Sequence, residues 1–256
     1  GKHGGLCGRV VVEFGGDRGG SSDKLAVAWK DVAPSLRAPR GGRCGGCRTP
    51  ITQANLATQA YIQTVEGISG IVDTLGKRTI GIDVRVRMNE SQHHRGPDEC
   101  GLHAEPGIGL AHRRLSIIDL STGQQPLWNE DHSVVVIYNG EIYNYQALIP
   151  ELVQLGHRFR TRSDTEVIVH AWEAWGEACV DRFRGMFAFA PWDRNPSPLF
   201  LAPDRLGVHP LTYASLPDHQ FVFGHELKSL PVPPSLCLSS VPWPGASCFP
   251  VAYFPP

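Results

Sequence analysis

Four short segments concentrate polar groups that a purely structural sequence would not need: RGPDECG from Arg95, HRRLSIIDLSTGQQP from His112, YNGEIYN from Tyr138 and RSDTE from Arg162. Singly, each has an ordinary reading as a turn, surface charges, a hairpin and a helix cap. Together, in this order and at these separations, they point to a site. Metal chemistry is not expected there. Cys44 and Cys47 form a lone CGGC, and His93, His94 and His112 lack carboxylate or cysteine companions at ligand spacing. Were a thiol to act as nucleophile there, one of the cysteines would have to supply it. Cys7 lies in a glycine-rich leader, Cys100 follows the RGPD turn, and Cys179 falls on an amphipathic stretch that reads as core.

The elements that must position these segments begin at GISGIVD (67–73), which has the apolar and small residues of a buried strand, with Glu66 at its entrance. SVVVIYNGEIYNY reads as a strand running into a tight turn at Asn139 and Gly140. Asn144 then caps a helix carrying Leu148, Leu152 and Leu155, which Gly156 ends. RFRTR reads as a strand. Ser163 and Glu166 have capping-box spacing and open a helix that Gly176 closes. A short helix EACVDRF and the strand-like runs MFAFAPWD, PLFLAPD and FVFG follow, which together predict mixed sheets covered by helices. Residues 1–64 form a Gly/Arg-rich leader expected to be largely disordered, 65–230 the folded domain, and 231–256 a proline-rich irregular tail.

The totals narrow the function. The 256 residues carry 24 Lys and Arg against 25 Asp and Glu, so no global field gathers nucleic acid or an anionic membrane. No run of eighteen apolar residues exists, the N-terminus lacks a secretory signal, and the seven cysteines form no disulfide framework; a cytoplasmic protein with reduced thiols is expected.

GISGIVD, HHRGPDE, LAHRRLSIIDLSTGQQPL, VVVIYNGEIYN, HRFRTRSDTEVIVHAWEAWGE, RFRGMFAFAPWDRN, DRLGVHPL and FGHELKSL together resemble the glutaminase domain of class II glutamine amidotransferases. The likeness is greatest to glutamine-hydrolysing asparagine synthetases and their bacterial relatives in polysaccharide gene clusters. It implies an α+β fold, the four-layer αββα sandwich of the N-terminal-nucleophile hydrolases, with L-glutamine as substrate. By the same resemblance Arg114 binds the substrate carboxylate, Asp164 its ammonium, and Asn139 with Gly140 forms the oxyanion hole. Leu115, Ser116, Ile117, Ile118 and Glu141 would supply further substrate contacts. No cofactor is expected in this chain, since ATP and Mg belong to the family's synthetase domain. A synthetase domain in trans and a homodimer are the partners the family allows.

The chain departs from the family where the chemistry starts. The family exposes an N-terminal cysteine before Gly-Ile, whose thiol attacks while its own α-amine acts as base. Here Glu66 holds that position and the amine is tied up in a peptide bond. Pro191 would interrupt a strand, Pro203 and His209 sit in or beside the DRLGV segment, and His225 replaces a serine. The leader, the absent cysteine and the proline-rich run beyond 230 lead us to expect a displaced start and a frame disruption in a fragmentary gene. The resulting expectation is a glutaminase domain that keeps its glutamine pocket and has lost catalysis. The alternative is a non-catalytic glutamine-binding or assembly module that pairs with a separate synthetase subunit.

Overall fold

A strand buried on both faces needs apolar residues at successive positions, and VVVIY, FAFA and LFLA supply them. In the computed structural model, residues 66–115, 123–195, 199–216 and 218–231 are described in full, with the backbone of 10–12, 27–29 and 239–240. The linker at 51–63, most of the leader and tail, and Ser116, Ile117 and Ile118 lie outside the described residues.

The strands are β1 (Val10–Val12), β2 (Val27–Trp29), β3 (Gly67–Asp73), β4 (Glu99–Glu105), β5 (Ile108–Arg114), β6 (Leu127–Trp128), β7 (Val134–Ile142), β8 (Gly185–Asp193), β9 (Leu199–Pro203), β10 (Thr212–Leu216), β11 (Gln220–Gly224) and β12 (Ser239–Ser240). Helices α1 (Ile82–Glu90), α2 (Tyr145–Gln154) and α3 (Asp164–Trp175) complete the order, with a 3-10 turn at Gly176–Arg182. Two six-stranded sheets form, ordered β2-β1-β9-β8-β7-β6 and β12-β10-β11-β3-β5-β4. Every described pairing is antiparallel, so the sheets are not mixed.

Side-chain alternation builds four layers. Val135, Ile137, Ala188, Ala190, Leu199 and Leu201 of the first sheet pack with Ile68, Val72, Leu110, Phe221 and Phe223 of the second. The opposite face of the first sheet turns Val136, Tyr138, Phe187, Phe189 and Phe200 to Leu152, Val167, Ile168 and Trp172 of α2 and α3. The opposite face of the second turns Ile71 and Val222 to Met88 of α1. Helices, sheet, sheet and helix thus stack in the αββα order.

Several local expectations change. Asn139 and Gly140 are not a turn but lie inside β7, paired with Ala188 and Phe187 of β8. RFRTR is not a strand, because Glu166 takes over its backbone: the carboxylate accepts from the N–H groups of Arg160 and Thr161 at 2.8 and 2.7 Å. Glu166 is therefore unavailable to return the capping-box bond, although Ser163 does cap α3 by accepting from Thr165 N–H at 3.1 Å. Asn144 holds the N-cap position of α2 without a capping bond; its carboxamide bridges Arg182 O and Arg184 N instead. Leu148 and Leu152 are buried but Leu155 is exposed. Pro191 does not interrupt β8, which keeps the same register with β9 at Phe189↔Ala202 and Trp192↔Leu199.

Four titratable side chains gather around the buried His170: Glu166 and Glu173 from α3 itself, His157 from the loop at 157–163 and Glu130 from the β6–β7 connection. His170 Nδ1 lies 3.0 Å from Glu173 Oε2 and 3.8 Å from Glu130 Oε2, and its Nε2 lies 3.7 Å from Glu166 Oε1. Burial opposes the imidazolium, yet these carboxylates outweigh it and raise the group to about 9. His157 Nδ1 sits 3.6 Å from Glu173 Oε2, and one ligand atom each of His157, His170 and Glu173 lies within 4.8 Å of the others. A metal could compete there with the His170 proton, a grouping invisible in sequence because loop and helix contribute separately. Because the folded pKa lies above the unfolded value near 6.5, the stabilisation is complete below about pH 6.5 and is lost as pH rises through 9. Denaturant titrations should show the unfolding free energy falling by up to about 3 kcal/mol over that window. The fall should be absent in His170→Gln; an unchanged slope there would refute the assignment.

Candidate active site

A cleft of about 660 Å3, counting its open mouth, is lined by Glu66, Arg114, Leu115, Gly123, Gln125, Tyr138, Gly140, Glu141, Ser163, Asp164 and Thr165. Both sheets and the start of α3 build it. β3 begins at Gly67, opposite Arg113 of β5, so Glu66 enters the cleft as Arg114 reaches it from the next strand. Arg114 is buried and donates from Nη1 to Glu99 Oε2 at 3.0 Å, a contact set by the Glu99↔Arg114 register.

Asp164 sits at the first turn of α3, where the helix dipole and exposed N–H groups favour an anion. Its Oδ2 accepts the Tyr138 hydroxyl at 2.6 Å and the Ile142 N–H at 3.0 Å. Burial outweighs both bonds and lifts the carboxyl above its ordinary value. The same burial, with Asp164 beside it, pushes the Tyr138 phenol well up, so it stays a donor.

Glu66 is held firmly. His112 Nε2 faces two acceptors, Tyr138 O at 3.0 Å and Glu66 Oε2 at 3.2 Å, so that nitrogen carries a proton and donates to both. Gln125 accepts from Tyr138 N–H through Oε1 at 2.7 Å, which turns its Nε2 toward Glu66 Oε2 at 3.5 Å. Arg95, from the RGPD segment, donates from Nε to the Glu66 carbonyl at 3.1 Å and from Nη1 to Glu226 at 3.3 Å.

Among the sequence-derived site residues, Arg114, Leu115, Gly140, Glu141, Asp164 and Glu66 share the cleft, while Asn139 is buried behind it. The Asn139 carboxamide meets His225 Nε2 at 2.9 Å. Ile68 N–H donates to His225 Nδ1 at 3.2 Å, and burial holds the imidazole well below its ordinary pKa, so the neutral ring keeps its proton on Nε2. Asn139 Nδ2 against that proton would oppose two donors. The amide turned through 180° accepts instead, and its NH2 then takes the buried position where the oxygen finds no partner. His225, in a family serine position, thereby orients a donor at Asn139. Sequence reasoning left Arg95, His112, Gln125 and Tyr138 without roles; all four lie in the flagged polar segments, but nothing local told them from their neighbours.

The arrangement offers a guanidinium, buried and half-buried carboxylates and amide donors, a set suited to a zwitterion. A family model described as a glutamine amidotransferase domain matches residues 65–239. Asparagine synthetase [glutamine-hydrolyzing] 2 of Bacillus subtilis (strain 168) is 45% identical over 166 residues, covering 64% of this chain and 22% of the relative. Asparagine synthetase [glutamine-hydrolyzing] 2 of Oryza sativa subsp. japonica is 43% identical over 164 residues, covering 63% and 27%. The chain thus spans about a quarter of the length of these curated relatives. A solved structure of glutamine phosphoribosylpyrophosphate amidotransferase from B. subtilis, complexed with ADP and GMP, superposes with a TM-score of 0.52 at 20% identity. It covers 64% of this chain and 42% of that one, and shows that the fold is shared. With the family model spanning well over half its residues, the chain belongs to the glutamine amidotransferase domain family.

Proposed function

We propose that this chain is the glutaminase-type domain of an asparagine-synthetase-like amidotransferase, holding a glutamine-shaped α-amino acid without cutting it. The reading is carried by one observation: Arg114 and Asp164 line the same cleft as Glu66. Arg114 presents a guanidinium to the ligand's α-carboxylate, and Asp164, fixed by Tyr138 and Ile142, presents a carboxylate to its ammonium. Gly140 and the Asn139 amide would supply donors to a carbonyl oxygen. By the family resemblance Ser116, Ile117 and Ile118 would add substrate contacts.

Hydrolysis lacks its two agents. Glu66 stands immediately before Gly67, where the family resemblance puts a cysteine, and its nitrogen is an amide that cannot act as a base. A carboxylate is a weak nucleophile toward an unactivated amide. ATP and Mg enter no step of the reading proposed here, and among the described residues no helix is long and apolar enough to cross a membrane. We place its action in the cytoplasm beside a synthetase domain.

Calorimetry with glutamine tests the pocket. Binding at millimolar or better affinity should weaken at least tenfold in Arg114→Ala and in Asp164→Asn, the latter keeping an acceptor for Tyr138 and Ile142. Ammonia release should stay at the buffer blank. Binding that ignores both substitutions would remove the pocket assignment, and brisk ammonia release would remove the claim of inactivity.

A further inference from the structure

The cleft carries more negative charge than a glutamine zwitterion can use. Among the described residues, its charged lining is Glu66, Glu141 and Asp164 against Arg114. Arg114 already serves Glu99, and Arg95 in the adjoining wall serves Glu226, so both arginines have carboxylate partners of their own. A bound zwitterion places its carboxylate on Arg114 and its ammonium on one acid, leaving two acids unmatched. Glu141 is exposed and screened by water, whereas Glu66 is only 15% exposed.

The Glu66 carboxylate is also set in place for a ligand. His112 Nε2–H and the Gln125 amide both converge on Oε2, and among the described residues no hydrogen bond reaches Oε1. One oxygen is anchored and the other is left to an incoming donor. A side chain ending in an ammonium satisfies it by charge and hydrogen bond together, an amide by hydrogen bond alone, and a carboxylate meets repulsion.

We infer that Glu66 makes this cleft selective for a basic α-amino acid of about ornithine length, which carries an ammonium where glutamine carries its amide nitrogen. This rests on the α-amino-acid pocket proposed above and changes the preferred side-chain terminus. Glutamine becomes a weaker ligand, and glutamate is excluded.

Calorimetry on the full chain with ornithine, glutamine, glutamate and 1,4-diaminobutane decides it. Ornithine should bind at least tenfold more tightly than glutamine, and glutamate at least tenfold more weakly. 1,4-Diaminobutane lacks the α-carboxylate and should bind at least tenfold more weakly than ornithine, which separates a built pocket from a merely acidic cleft. In Glu66→Gln, a near-isosteric change that keeps the backbone contact to Arg95, the preference for ornithine over glutamine should fall at least tenfold. Glutamine matching ornithine, or an unchanged ratio in Glu66→Gln, would overturn the inference while leaving the pocket reading intact. Failure of every α-amino acid to bind would overturn both.

Discussion

Gly140→Ala should lower the melting temperature by about 10–20 °C or prevent accumulation of folded protein, whereas Gly156→Ala should cost only a few degrees. Gly140 sits at φ +138° within β7, and a Cβ there would overlap Met186 O and stand 2.6 Å from Phe187 Cα. Both atoms are backbone of the neighbouring strand, so no side chain can swing away. Relief requires β7 and β8 to part along a ladder that runs from Val134↔Asp193 to Ile142↔Gly185 through the centre of the first sheet. The unfavourable φ costs about 1–3 kcal/mol and the overlap about as much again or more, a large share of a typical 5–15 kcal/mol stability. Gly156 supplies the control, with φ +101° and nothing within 4 Å of the place a methyl would occupy. It isolates the backbone cost alone. Melts of the two variants that coincide would show that the strand contact carries no energy.

This position also shows what could be read from the residues in order. Asn-Gly between apolar residues has the composition of a tight turn, and nothing local distinguishes that from a strand whose glycine is demanded by a neighbouring backbone. The difference is tertiary: β8 lies against Gly140, and its closeness is unknown until the sheet is assembled. RFRTR failed for a related reason, since a carboxylate six residues downstream of Arg160 satisfies backbone that would otherwise have joined a ladder. The layer order came with the family resemblance, and the packing agrees with it, since VVVIY, FAFA and LFLA are apolar at successive residues and covered on both faces. Motif resemblance singled out Arg114, Gly140 and Asp164, which line one cleft, but not the partners that position them. Gln125 and Tyr138 sit among residues with ordinary structural readings, and only the assembled cleft connects them to Glu66 and Asp164.

Placing cysteine at 66 and cutting the chain immediately before it should create glutaminase activity about 10^4-fold or more above the unaltered protein, measured as ammonia release from glutamine. The variant is Glu66→Cys with a site-specific protease sequence replacing the residues just upstream; cleavage leaves the leader strands β1 and β2 free to remain on the edge of the first sheet. Two deficits are then repaired in separable steps. The uncut variant has a thiol but no amine, and a thiol of pKa near 8.5 is only a few per cent thiolate at neutral pH. It should gain little. Cutting frees an α-amine that titrates near 7.7–8.0, close enough to neutrality to accept the thiol proton and later deliver it to departing ammonia. Loss of the nucleophile in another nucleophile-and-base hydrolase costs roughly a millionfold, so even partial restoration is large. The rate should rise with pH through the amine's titration, a dependence the uncut form lacks. Arg114 and Asp164 would hold the zwitterion, and the Asn139 amide, which the resemblance assigns to the oxyanion, is oriented by His225 from just behind the cleft wall. Removing that orientation in the cut enzyme with His225→Ala should lower kcat by about 10^2-fold, the scale of one oxyanion donor. A cut enzyme no faster than the unaltered chain would mean that the cleft does not present an amide carbonyl to residue 66.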